Sequence, residues 1–354
     1  MADIKTVNFK SKKYIWAGIL LAQFVLFYTL SFSQSVVQVF ADFFKWKSYW
    51  HQKLSSLVDF SIGDVLYMVL LISILRLIFN LFKKDQRQAS IIKILIGLNA
   101  FYFIYQCFWG MLYFQPPISE KLPQGEPTLP EAKKLVKIYL EKCRAQREFT
   151  TEDRNGIFYF QSADLIQQNV LKSQNLLPGQ IAKASGSGID DFKPSLYRHA
   201  MGYTGILGYY NPFTAEAQYN PNTPATMQPF TLAHESAHQL GFAREEEANI
   251  IGFLICEQSD DISLKYSANF FAMKSLLNGI YPQDSVFVKR IVQQYSPKMK
   301  RDRAYEKSFA KRHEGPVDTF FGLTNDLFLK SNRQEGAITY SYFTELLIRY
   351  NRLK

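Results

Sequence analysis

Three apolar runs crowd the first 114 residues, and they constrain this chain more than any other feature. Tyr14–Ser33 is 20 residues without a charge, Val65–Phe82 is 18 broken only by Arg76, and Ile94–Phe114 is 21 without a charge. A helix needs about 20 apolar residues to cross roughly 30 Å of hydrocarbon. Three such runs in so short a stretch predict three membrane spans rather than three buried core helices. Arg76 lies near the end of its run, where a long side chain snorkels to the interface. The first run is long for a signal peptide and no small-residue cleavage site follows it, so an uncleaved span is expected.

The charge distribution agrees. The chain carries a formal charge of +10, yet residues 1–114 hold 12 Lys or Arg against 5 Asp and no Glu, while the remaining 240 residues are nearly balanced. The basic excess therefore sits on membrane flanks, not on a folded nucleic-acid face. Lys5, Lys10, Lys12 and Lys13 precede the first run, and Lys83, Lys84, Arg87 and Lys93 separate the second and third. This bias predicts a cytoplasmic N-terminus, which puts residues 115–354 outside; in a Gram-negative cell that is the periplasmic side of the inner membrane. Three spans with one interfacial arginine offer no midplane transport site. Cys107, Cys143 and Cys256 have no CxxC spacing, so neither a disulfide framework nor a cysteine zinc cluster is expected.

The expected organisation is a transmembrane region (1–114), a Pro-rich linker (115–130) and one outer domain (131–354) of α+β class, mainly α, with a small β-sheet. Thr128 is placed to cap a helix with Pro130 and Glu131 in its first turn, whose apolar positions are Leu135, Ile138, Tyr139 and Cys143. Ser162 opens a second helix. Ser185-Gly186-Ser187-Gly188 lacks a preceding strand and reads as a surface loop. Short strands are expected in 201–220, and helices from Pro224 to Tyr350.

The chemistry concentrates in His234-Glu235-Ser236-Ala237-His238, an HExxH. Helical positions i and i+4 lie one above the other, so both imidazoles can reach one ion. Glu235 lies beside them, near enough to act on a metal-bound water. Zn²⁺ favours imidazole nitrogen and needs a third protein ligand with one position left open. Gly241 is suited to a left-handed helix stop, with a second helix from about Ala243 to Cys256. Arg244 stands where a metzincin has its third histidine, which excludes that arrangement. Glu245, Glu246 and Glu247 follow, and periodicity does not choose among them; those that do not ligate are expected to be a solvated helix start. Phe213–Asn220, just upstream, is a candidate edge strand for binding an extended peptide. His199, His313, Tyr209, Tyr210 and Tyr340 are available as oxyanion stabilisers, each with a structural role as the simpler reading.

Glu245-Glu-Glu-Ala248-Asn249 resembles the E-x-x-A-[D/N] pattern that follows HExxH in gluzincin metallopeptidases. That resemblance implies a zincin-like domain with Glu245 as third zinc ligand and Asn249 supporting the first histidine. The six-residue interval between His238 and Glu245 is shorter than in most gluzincins. The whole chain also resembles an uncharacterised bacterial family, named only as a domain of unknown function, with three N-terminal spans and an outer HExxH domain.

The expected activity is membrane-anchored zinc-dependent hydrolysis of extracytoplasmic peptides or proteins. Zn²⁺ is held by His234, His238 and Glu245, and Glu235 is the general base on the zinc-bound water. The HExxH lies about 120 residues beyond the last apolar run, which argues against a site within the membrane. The rival expectation is a membrane-tethered binding or sensor module with a structural or inactive zinc site; the presence of Glu235 counts against it, because a purely structural site has no use for a base.

Overall fold

The computed structural model describes residues 2–182, 186–331 and 339–354. Ser185 of the Ser-Gly loop lies outside the described residues, as does the side chain of Tyr340. Four helices open the chain: α1 (Ala2–Leu30), α2 (Gln34–Ser55), α3 (Ile62–Leu81) and α4 (Arg87–Phe108). They are followed by α5 (Leu129–Glu148), the hairpin β1 (Thr151–Glu152) and β2 (Phe158–Tyr159), α6 (Ala163–Gln174), β3 (Phe192–Pro194), α7 (Arg198–Met201), β4 (Gly208–Tyr210) and β5 (Ala217–Tyr219). The rest is helical: α8 (Gln228–Gln239), α9 (Glu245–Gln258), α10 (Ile262–Ile280), α11 (Ser285–Gln293), α12 (Pro297–His313), α13 (Pro316–Ser331) and α14 (Thr339–Asn351). The fold is α+β and mainly helical, with two small sheets.

Segments of α1, α3 and α4 (Lys12–Leu30, Ile62–Leu81 and Arg87–Phe108) are long and apolar enough to cross a membrane, and nearly all their side chains face outward. Such exposed apolar surface associates the chain with a membrane. Asn99 ties α1 to α4, accepting from Gln23 Nε2 at 3.0 Å and donating to Trp16 O at 3.0 Å. The third apolar run overshoots its helix. α4 stops at Phe108, and Gly110–Phe114 is a 3-10 turn in which Met111, Leu112 and Tyr113 are buried. Their apolarity serves packing, not lipid.

The segment between the first two runs contains a 22-residue helix, α2, that the search for uncharged runs passes over. Its buried face is Val37, Ala41, Phe44, Ser48, Gln52 and Ser55, a three-and-four repeat in which Val37 packs on Phe27 and Met111 and the others meet the outer domain. The 115–130 stretch is likewise bound down: Ile118 and Leu122 are buried, and Arg349 donates to Ser119 O and Pro123 O. Thr128 caps α5 in a reciprocal capping box with Glu131. The buried stripe of α5 is Leu135, Val136, Tyr139, Leu140 and Cys143, with Ile138 outside it at 42% exposure.

The three-stranded sheet has the order β3-β5-β4, with β3 parallel and β4 antiparallel to β5. This corrects the edge-strand expectation. Residues 217–219 form the middle strand, whose pairing is already used on both sides, and β3 and β4 are the edges. Strands of three residues leave no alternation to read; all three β5 residues are buried. The sheet is bolted to the start of α3. The Glu216 carboxylate accepts from Ile62 N at 2.8 Å and Gly63 N at 2.5 Å, where the helix dipole favours an anion. In return the Asp64 carboxylate accepts from Leu196 N at 2.7 Å and from the hydroxyls of Ser195 and Tyr209.

Candidate metal centre

The motif helix α8 ends as the glycine requires. Gly241 has φ 95°, its N–H donates to His238 O at 2.9 Å, and Phe242 N donates to Ala237 O at 3.2 Å. This is the Schellman arrangement, which needs a left-handed residue at that position. The turn delivers Phe242 O to His238, whose Nδ1 lies 2.7 Å from it. The second helix then starts at Glu245, two residues later than expected. α9 crosses α8 at Gly252, where an added Cβ would lie 2.9 Å from His234 N and 3.0 Å from His234 Cα. No larger residue allows that approach, and it brings Glu245 and Asn249 up to the histidines.

His234 Nδ1 lies 2.9 Å from Asn249 Oδ1, the partnership the gluzincin resemblance implied. Each Nδ1 thus faces an oxygen acceptor and carries the ring proton, which leaves the Nε2 lone pair on each ring. Both Nε2 atoms face Glu245: His234 Nε2 is 3.3 Å from Oε2 and His238 Nε2 is 3.7 Å from Oε1. Bonds of roughly 2.0–2.1 Å in a tetrahedron set neighbouring ligand atoms about 3.4 Å apart. The three donors therefore fit one zinc ion, and three converging lone-pair donors in a buried position repel one another unless a cation or proton lies between them. His234, Glu235 and His238 also form a group with ligand atoms within 4.8 Å of one another.

Glu235 is buried, and its Oε2 has no hydrogen-bond partner among the described residues. Burial pushes its carboxyl up to about 8, against the opposing charge of His234. Burial lowers His238 to about 4, so it is neutral at physiological pH. His234 moves the other way: burial works against its charged form, but the hydrogen bond and charge of Glu245, with the charge of Glu235, raise it. Glu245 is held below the usual carboxylate range; burial opposes this and the histidines outweigh it. The two histidines shift in opposite directions because Glu245 lies closer to His234 than to His238.

Glu246 and Glu247 are not a solvated helix start. Glu247 is buried and accepts from Ile118 N at 2.8 Å and Arg244 Nη1 at 2.9 Å. Glu246 is partly buried, and burial raises its carboxyl to about 7. Arg244 also donates to Tyr113 O and Gln115 O at 2.8 and 2.7 Å, tying the start of α9 to the end of the membrane region. The site's walls come from residues the sequence did not point to. The Trp109 ring stands edge-on to His238 at 5.7 Å, Phe44 packs against Trp109 at 5.7 Å, and β4 runs beside α8, with Gly208 against Glu235. No spacing rule signals these contacts. Of the oxyanion candidates, Tyr209 bonds Asp64 and Ser195, the Tyr210 hydroxyl pairs with Ser48, His313 meets Tyr203 edge-on, and His199 is exposed.

Residues 40–348 match a family described as "Protein of unknown function (DUF3810)". No curated protein and no solved structure matches the chain.

Proposed function

The chain belongs to the DUF3810 family, and from its own residues we propose that it is a membrane-anchored, zinc-dependent metallopeptidase. It would hydrolyse peptide bonds of polypeptides on the outer face of a bacterial inner membrane, with its N-terminus in the cytoplasm. The observation that carries this reading is the convergence of His234 Nε2, His238 Nε2 and the Glu245 carboxylate, with the unpartnered buried Glu235 beside them.

His234, His238 and Glu245 would hold Zn²⁺. Asn249 and the Phe242 carbonyl fix both rings in the ligating tautomer. When bound, the ion supplies a Lewis acid that polarises the scissile carbonyl and acidifies a water. Glu235 would take the proton from the attacking water and hand it to the leaving amine. Edge strand β4 offers its main chain to an extended substrate, and Gly208 keeps that strand close to the base: a Cβ there would lie 2.9 Å from Glu235 Oε1.

The test uses the full chain in lipid nanodiscs, with zinc content measured by mass spectrometry and hydrolysis followed on a peptide library. Glu235→Gln keeps the volume and removes the base, so it retains zinc and loses about 10²-fold or more in hydrolysis. A substrate cleaved equally by wild type and this variant would eliminate the mechanism.

A further inference from the structure

Helix α2 has two unlike faces. The face carrying Phe44 and Ser48 is buried on the outer domain. Opposite it, Val39, Phe43, Trp46, Trp50 and Leu54 form an uncovered apolar stripe, each between 36% and 65% exposed. At 100° per residue these five fall within an arc of about 80°, centred away from the docked face. Asp42, Lys45 and Lys53 flank it on one side. An apolar stripe with tryptophans and flanking charges is what a helix lying in a lipid interface presents. Its surroundings name the occupant. α2 is joined to the end of α1 and the start of α3, and Phe43 and His51 touch Phe108 at the end of α4, at 6.1 and 5.6 Å. It therefore lies across the same ends of three helices of membrane-spanning length.

We infer that α2 lies in the plane of the bilayer interface with this stripe in lipid, and that the metal centre consequently acts on polypeptides anchored in the same bilayer, at bonds just outside it. The second half rests on the metallopeptidase reading. The docked face of α2 reaches the site directly: Phe44 closes on Gly241 at the end of the motif helix, where a Cβ would lie 3.1 Å from its ring, and Trp109 links Phe44 to His238. With a helix diameter of about 10–12 Å, the histidines stand on the order of 20 Å from the lipid-facing stripe. An extended chain covers about 3.3–3.6 Å per residue, so roughly six residues beyond a membrane anchor reach the centre. Two features hold this geometry. Phe213, at the β4–β5 turn, packs against Tyr67 of α3 and Phe101 of α4 at 6.5 and 5.4 Å. A cleft of about 550 Å³ is lined both by Ser31, Phe32 and Gln34 of the α1–α2 corner and by Arg244, the residue before Glu245.

The experiment reconstitutes the full chain in vesicles and reads two things. The first is the depth of Trp46 and of Trp50, each left as sole tryptophan by Phe replacement of the others. Emission should be quenched by lipids brominated in the upper acyl chain and spared by aqueous iodide. A nitroxide on Leu54→Cys, which leaves every tryptophan in place, should report oxygen accessibility above that for a water-soluble nickel complex. Iodide quenching without bromolipid quenching overturns the interfacial placement. Protection from both, with a dimer in nanodiscs, overturns it too and gives the stripe to a second copy.

The second readout is cleavage of a co-reconstituted probe: one membrane-spanning helix followed by an outer tail of randomised sequence about 30 residues long, compared with the same tail as free peptide. Confinement to one bilayer raises the effective concentration, so the anchored tail should be cut about tenfold faster or more, at bonds near the membrane. Equal cleavage of the free tail, at scattered bonds, overturns the substrate class and leaves the peptidase intact. Cleavage of neither form overturns the peptidase reading and the substrate class together, while the fluorescence still decides the placement of α2.

Discussion

Substituting Gly252 by alanine tests whether helix approach builds the metal centre. A Cβ at this position meets His234 N at 2.9 Å, His234 Cα at 3.0 Å and Ala233 C at 3.1 Å. All three atoms are α8 backbone, so no side-chain rotation relieves the clash. Carbon contacts sit near 3.5–4.0 Å, so α9 must retreat by about 0.5–1 Å. Overpacking of this kind costs about 1–3 kcal/mol, or on the order of 3–10 °C in Tm for a domain of this size. Glu245 and Asn249 ride on α9, so the same retreat opens the gaps between Glu245 and the histidines. Metal–ligand distances tolerate only about 0.2 Å, so zinc affinity should fall about tenfold or more. The assays are thermal melting of the full chain in detergent and zinc competition against a chromophoric chelator. Gly279→Ala is the control, since nothing lies within 4 Å of its added Cβ; it should bind zinc normally and melt at or slightly above the wild-type temperature. If Gly252→Ala matches wild type in both assays, the crossing does not set the donor geometry.

Glu245→Gln should release zinc while Glu247→Gln retains it and lowers Tm, because Glu247 instead holds Ile118 and Arg244; metal loss in Glu247→Gln alone would transfer the ligand role. Asn249→Ala frees His234 to rotate and should weaken zinc binding by about 10–100-fold, read by the same chelator competition. Asp191 predicts a pH effect where α2 docks. Burial, helped by the Glu216 charge, lifts its carboxyl to about 8 against the Ser55 hydrogen bond and Lys193. The folded chain then keeps a proton that the unfolded chain releases near pH 4, so this contribution to stability declines as pH rises from about 4 to about 8. Tm should fall more steeply across that window in wild type than in Asp191→Asn, and equal slopes would refute the assignment.

The candidate metal site is legible where its geometry is local. His234 and His238 share a face by helical spacing, Gly241 stops the helix because only it accepts the turn, and Asn249 follows Glu245 by one helical turn. Helix α2 was not legible as a helix. Its repeat of Val37, Ala41, Phe44, Ser48, Gln52 and Ser55 mixes small and polar residues, while its most apolar positions lie on the opposite face. A hydrophobic period read from sequence marks the face that avoids water without saying whether protein or lipid covers it. The middle position of β5 was hidden for a different reason, since three-residue strands are too short to show a period and their order is set by partners far along the chain.

Distance along the chain is a poor guide to distance in space. The HExxH lies about 120 residues past the last apolar run, yet the segment that follows that run is not a free tether. Here Arg244 donates to the carbonyls of Tyr113 and Gln115, Gln115 Nε2 donates to Gly241 O at 3.2 Å, and Ile118 N donates to Glu247. The chain leaves α4 and at once packs against the turn between α8 and α9. The third apolar run therefore serves two surroundings: the exposed apolar side chains along α4 suit lipid, and Trp109 to Tyr113 are buried in protein beside the candidate metal centre. A uniformly hydrophobic run cannot divide itself between them, because burial in protein and burial in lipid ask for the same side chains. The division is visible only in backbone geometry, where α4 ends at Phe108 and the 3-10 turn begins.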